Sequence, residues 1–117
     1  MSSVQVERVD DVTVVIAEGL FTGGEETEEL RLTMQELLQQ PGQRKILLNL
    51  SGTQLMLSLA VGILMTTHVR AKELGILFYV CGVRPSLRKV LETIMVKPLS
   101  LVHFDDCAAA LEGLRNR

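Results

Sequence analysis

Apolar positions along the chain follow two periods. Val4-Gln5-Val6 and Val12-Thr13-Val14-Val15-Ile16 are rich in β-branched residues and flank Asp10-Asp11, a pattern that predicts two strands joined as a hairpin. Gly19 and the Thr22-Gly23-Gly24 loop close that unit. Leu30, Met34, Leu37 and Leu38 then recur at i, i+4, i+7 and i+8, one face of a helix that Pro41-Gly42 stops. Thr22 is its expected N-cap, and Glu25, Glu26, Glu28 and Glu29 suit its positive end and a solvated face. Ile46 to Leu50 is a short, nearly continuous apolar run of the kind buried on both faces of a sheet.

The polar Ser51-Gly52-Thr53-Gln54 leads into LMLSLAVGILM, Leu55 to Met65, which becomes helical and runs to about Leu74 before Gly75 as the residue after the C-cap. Ile76 to Cys81 is a second buried strand. Ser86 is expected to cap a helix with Leu87, Val90, Leu91 and Ile94 on its apolar face, ending before Pro98. Leu99 to Phe104 completes the strands, and Asp105 or Asp106 caps a last helix carrying Ala108, Leu111 and Leu114. The order β-β-α-β-α-β-α-β-α predicts one α/β domain over residues 1–117. Its sheet is mixed but mostly parallel, with about five strands, about four helices and one antiparallel edge.

Composition narrows the function. With 47% hydrophobic and 22% charged residues the chain has globular rather than disordered composition. A net charge of -2 with dispersed basic residues, and aromatics limited to Phe21, Phe78, Tyr79 and Phe104, argue against a nucleic-acid partner. Cys81 and Cys107 are too few for a disulfide framework. The start MSSVQVERVDD has no secretory pattern, and LMLSLAVGILM falls well short of the about 20 apolar residues that span a bilayer. A cytoplasmic location without direct membrane insertion is expected.

Enzyme motifs are incomplete. Gly23-Gly24 precedes a helix but lacks the spacing of a phosphate loop, and Glu25 and Glu26 would repel the anion. In Cys81-Gly82-Val83-Arg84-Pro85-Ser86-Leu87-Arg88 the arginine of a cysteine-dependent phosphatase would stand at Leu87 and comes one residue late, so Cys81 reads as a buried strand-end cysteine. His68 and His103 lack partners at metal-ligand spacing. No catalytic group, metal or cofactor is expected. Ser58 stands out, since it lies where a buried strand and its loop meet a helix. Its hydroxyl could accept from the Ala60 or Val61 N–H as an N-cap, and the same position tolerates a phosphate.

The pattern resembles the STAS domains, the family of sulfate transporter and anti-sigma factor antagonist domains, over nearly the whole chain. Gly19 stands at the family's glycine after the second strand, and Ile46-Leu47-Leu48-Asn49-Leu50-Ser51 resembles its buried strand. Leu55 to Met65 occupies the segment usually written as an apolar pair followed by Asp-Ser-Ser-Gly-Leu-Gly. Arg70 to Gly75, Leu77 to Val83, Leu91 and Phe104 to Leu111 fit the remainder.

The resemblance implies a regulatory partner-switching module. Its partners would be an anti-sigma factor that is also a serine kinase, and a phosphatase, with Ser58 as the phosphoacceptor. The implied alternative is a phosphorylation-independent subunit of a membrane transport complex or a signalling scaffold. The chain departs from the family pattern at Leu57 for aspartate, Leu59 for the second serine and Ala60 for glycine, while Gly62 is kept; Thr22 stands where an acidic residue is common. The expected interface comprises Leu57, Leu59, Ala60, Gly62, Ile63 and Thr22 around Ser58.

Overall fold

The computed structural model of the chain describes residues 3–95 and 101–117, without the side chains of 93–95. Its elements are β1 (Val4–Val9), β2 (Val12–Ala17), β3 (Gly19–Phe21), α1 (Glu25–Gln39), β4 (Lys45–Asn49), β5 (Thr53–Met56), α2 (Ser58–Leu74), β6 (Leu77–Cys81), α3 (Pro85–Met95), β7 (Val102–Phe104) and α4 (Cys107–Arg115). The main sheet runs β1-β2-β4-β6-β7, antiparallel at the β1 edge and parallel elsewhere. This is the expected mixed sheet with four helices. The expected order lacked two strands: β3 and β5 pair in parallel as a separate two-stranded sheet.

The apolar runs are explained by the pleat. In β2, β4 and β6, residues Val15, Ala17, Ile46, Leu48, Phe78 and Val80 face α1, α2 and α3. The intervening Val14, Leu47, Tyr79 and Cys81 face α4 on the other side of the sheet. Successive strand residues point to opposite faces, so a strand covered on both faces is apolar throughout. On the first side Leu30, Met34, Leu37, Ala60, Leu64, Leu87 and Leu91 fill the space above the sheet. The face expected of α3 holds at Leu87 and Leu91, whereas Val90 is exposed; the side chain of Ile94 and the approach to Pro98 lie outside the described residues.

Ends of elements follow local chemistry, with several differences from expectation. Val9 pairs with Val12, so Asp10-Asp11 forms a two-residue turn, and Asp10 takes a left-handed φ of 56°. Gly75 ends α2 with a φ of 72°, and the Asp106 side chain caps α4 by accepting from the Ala108 N–H. The N-cap of α1 is Gly24, not Thr22; the loop is instead closed by the Gly23 N–H donating to Thr27 Oγ1. Glu29 also leaves the solvated face, since its carboxylate accepts from the backbone N–H of Ser3 and Val4. Helix α3 begins at Pro85, one residue before Ser86, because proline supplies a helical φ and lacks an N–H that would go unused there. Strand β7 is only Val102–Phe104, with Leu99 and Ser100 outside the described residues. On α4 the buried residues are Ala110 and Leu114 with Leu111 beside them, while Ala108 faces solvent.

The far end of α4 is tied to the β1–β2 turn by charge. Arg115 meets Asp10 at 2.6 Å, and the buried Lys45 ammonium meets Asp11 at 2.7 Å and the Arg117 carbonyl at 3.1 Å. The hydrogen bond from Lys45 holds the Asp11 carboxyl below its ordinary value of 3.8. A depressed folded-state pKa contributes stability above the unfolded value and loses it as pH falls through the folded one. Asp11→Asn is therefore expected to lower the unfolding midpoint at neutral pH, with the gap to wild type closing as pH drops below 3.8. Thermal melts of both proteins across the acid range check this, and a gap independent of pH would refute it.

Candidate functional site

Strand β5 delivers the chain to the start of α2 with alternate side chains in and out. Leu20 pairs with Leu55 and Phe21 with Met56 across the two-stranded sheet. Phe21 and Met56 are fully buried, whereas Leu20 is 50% and Leu55 38% exposed. Leu57 follows in extended conformation, its N–H donating to the Phe21 carbonyl at 2.9 Å. It is the N-cap of α2, and its carbonyl accepts from the Val61 N–H. A leucine cannot cap through its side chain, so no side chain caps this helix.

Ser58 is consequently the first helical residue, exposed to solvent, and not the N-cap; its hydroxyl takes no part in capping. No acidic residue occupies the first turn of α2. The N-terminal N–H groups and the helix dipole there favour negative charge.

The apolar run then divides by helical period. Leu59 is 68% exposed and Leu57 47%, while Ala60 is 0% exposed and packs in the core with Val61 and Leu64. In the free chain Ala60, expected at the interface, instead points at the sheet and is enclosed by the core. Leu59 lies against the β3–α1 loop, where a Cβ at Gly23 would sit 3.4 Å from its Cδ1. Thr22 is exposed in the same loop. Leu59, Gly62 and Ile63 also form one wall of a groove of about 480 Å³ between α1 and α2, with Met34 and Leu38 opposite and Arg31 and Arg70 at its margin. Open space surrounds Gly62, so its missing side chain widens the groove. Both arginines are engaged: Arg31 binds both oxygens of Glu28 at 2.7 and 2.6 Å, and Arg70 lies 3.7 Å from Glu73. That fork holds the Glu28 carboxyl below its ordinary range and raises the Arg31 guanidinium.

The structure thus brings together Leu57, Ser58, Leu59, Gly62, Ile63 and Thr22, and adds Leu20 and Leu55, which sequence reasoning missed. Their only signal was the alternation within two segments of three and four residues, too short to stand out from a loop. Among the described residues no group of three or more His, Cys, Asp and Glu side chains could hold a metal, and no helix is long and apolar enough to cross a membrane. His68 is buried in α2, and His103 in β7 is partly buried, with Nδ1 3.5 Å from the Leu101 carbonyl. Cys81 is not an isolated buried thiol: it is bonded to Cys107.

Comparison with known proteins bears on this geometry. A family model for the STAS domain matches residues 3–109. No curated protein matches the chain. Among solved structures, a serine-to-glutamate variant of RsbS from Moorella thermoacetica aligns with a TM-score of 0.78 at 19% identity, covering 98% of this chain and 97% of its own. A STAS protein of Planctomyces limnophilus, described as an anti-sigma-factor antagonist, gives a TM-score of 0.80 at 23% identity over 97% and 98% of the two chains. Phosphorylated SpoIIAA of Bacillus gives 0.73 at 18% identity over 94% and 98%. At these identities the likeness is one of fold.

Proposed function

The chain belongs to the STAS domain family, and from that premise we propose that it is a regulatory protein-binding module of the anti-sigma factor antagonist type, switched by phosphorylation of Ser58. The observation that carries this reading is an exposed, uncapped serine on the first turn of α2, set among the exposed leucines 20, 55, 57 and 59. Exposed apolar patches of this kind mark partner surfaces. Solved neighbours described as anti-sigma factor antagonists, one of them in a phosphorylated form, and a chain of the stressosome support the same class.

The switch follows from charge. A phosphate on Ser58 adds about −1.5 to −2 charge. The helix start accommodates it, since the first turn has no acidic side chain and its N–H end is positive. The same charge opposes burial of the surrounding leucines against a partner, because both phosphate and apolar surface would have to be desolvated together. The partner is then an anti-sigma factor with serine kinase activity, and a phosphatase restores the docking form.

A specific observation favours a second reading. Leu57 and Leu59 flank the serine on both sides and are largely exposed, so the patch could serve a transporter subunit or scaffold as a permanent interface. The test is binding to the partner recovered with the native chain, using Ser58→Ala and Ser58→Asp. Partner switching requires Ser58→Asp to bind at least about tenfold more weakly than Ser58→Ala, a difference of about 1.4 kcal/mol, together with a gain of one phosphate on Ser58 in the presence of kinase and ATP. Equal binding of the two variants would establish the permanent interface instead.

A further inference from the structure

The partner surface lies on the α1–α2 side of the sheet; a second chemical feature lies on the other. Cys81 is the last residue of β6 and fully buried among Tyr79, Ala110 and Leu114, whereas Cys107 is the first residue of α4 and only partly buried. They are the two cysteines of the chain, their Cα atoms are 4.8 Å apart, and they are bonded. That separation is within the usual range for a disulfide, so the backbone brings the two sulfurs together without displacement. We propose that Cys81 and Cys107 form a reversible dithiol–disulfide site whose oxidation clamps the first turn of α4 to the sheet and whose reduction releases it.

Two independent features give the bond this local effect. The first is the fixed end. The Cys81 carbonyl accepts from the Leu50 N–H at 2.9 Å, and the Gly82 N–H donates to the Phe104 carbonyl at 3.0 Å, so β6 is held at its end by strands on either side. The second is the weak partner. Helix α4 has nine residues, too few to persist without tertiary contacts. Its C-terminal end is anchored by Leu114 in the core and Arg115 on Asp10. Its N-terminal end has the Asp106 cap, the small Ala110 and the sulfur bridge. Opening the bridge removes the covalent restraint at the end with the least buried side-chain volume.

The exchange balances with a small-molecule disulfide, RSSR, as oxidant. The Cys107 thiolate, on the reachable side, attacks one sulfur of RSSR; the S–S bond breaks and RS⁻ leaves and takes a proton. The Cys81 thiolate then attacks Cys107 Sγ in the mixed disulfide and expels the second RS⁻, which is also protonated. Two protein thiols lose two protons and two electrons, and RSSR becomes two RSH. Reduction runs the same path backwards, with an external thiolate attacking Cys107 because Cys81 is enclosed.

The test uses the full chain equilibrated with graded ratios of glutathione and glutathione disulfide, quenched by alkylation and weighed intact. The expected result is one transition from two alkylated thiols to none, without an accumulating mixed disulfide. Amide exchange in residues 107–115 is expected to be at least about tenfold slower in the oxidised form, with α1 unchanged, and a Cys81→Ser, Cys107→Ser double variant should match the reduced form. Arrest at a glutathione adduct, thiols that never pair, equal exchange of α4 in both states, or a uniform change across every helix would each overturn the proposal.

Discussion

Leu59→Asp should abolish partner binding while leaving the protein folded. Leu59 is 68% exposed, with its side chain beside the β3–α1 loop and at the wall of the α1–α2 groove, so little buried area is lost in the free protein. It is also the second residue of α2, where an aspartate interacts favourably with the helix dipole and contributes roughly 0.3–1 kcal/mol. In a complex the same change places a carboxylate at the centre of an apolar contact. Loss of such an anchor typically costs about 2 kcal/mol or more, a weakening of at least about thirtyfold. Isothermal titration against the recovered partner, with a thermal melt of the free variant, separates the two effects. Retained affinity would remove Leu59 from the interface, and an unfolded variant would show that it is core. The neighbouring Ala60→Asp supplies the contrast: at 0% exposure it must bury an unpaired charge and is expected to unfold the chain.

Gly82→Ala should be the most damaging single-methyl change in the chain's described loops. Gly82 has a φ of 72°, which costs an L-residue about 1–2 kcal/mol. A Cβ there would lie 2.8 Å from Ser51 Cβ, 2.9 Å from its N and 3.0 Å from its Cα. Backbone hydrogen bonds from Leu50 to Cys81 and from Gly82 to Phe104 hold this segment in place, so neither side can yield cheaply. Overpacking adds about 1–3 kcal/mol, and the variant is expected to lose roughly 3 kcal/mol of unfolding free energy. Denaturant titration measures it. Gly62→Ala is the internal control. Nothing lies within 4 Å of a Cβ at Gly62 and the residue is helical, so that change should stabilise by roughly 0.5–1 kcal/mol. Similar outcomes for the two glycines would contradict the close approach at Ser51.

The charge of the β1–β2 turn and the thiol pair act at the two ends of α4. Arg115 holds its C-terminal end through Asp10, the Lys45 ammonium donates to the Arg117 carbonyl just beyond it, and the sulfurs hold its start. Serine and leucines, by contrast, are carried by β3, β5 and α2 on the opposite side of the sheet. The two faces can therefore be perturbed separately, which is what makes the binding and redox experiments independent.

Much of this architecture was legible from local pattern. The β-branched segments around Asp10-Asp11, the apolar runs at 46–50 and 77–81, the helical spacing from Leu30 to Leu38, the stop at Gly75 and the N-cap at Asp106 each reflect a backbone preference or a periodicity that neighbouring residues set by themselves. The place of Ser58 at a strand-to-helix junction is legible in the same way. What the pattern could not decide was direction. Leu57, Leu59 and Ala60 belong to one apolar run, and only the seating of α2 on the sheet sends Ala60 inward and the leucines out. Strands β3 and β5 exist because two short segments, 35 positions apart at the pairing of Leu20 with Leu55, find each other's backbone groups. The caps of α1 and α2 depended on where each helix begins, which packing shifts by a residue or two. Cys81 and Cys107, separated by 26 positions, become partners only after β6 and α4 have been laid side by side. Periodicity along the chain determines which residues must be buried somewhere; the tertiary contacts decide against what, and thereby which of the remaining apolar groups are left at the surface to meet another protein.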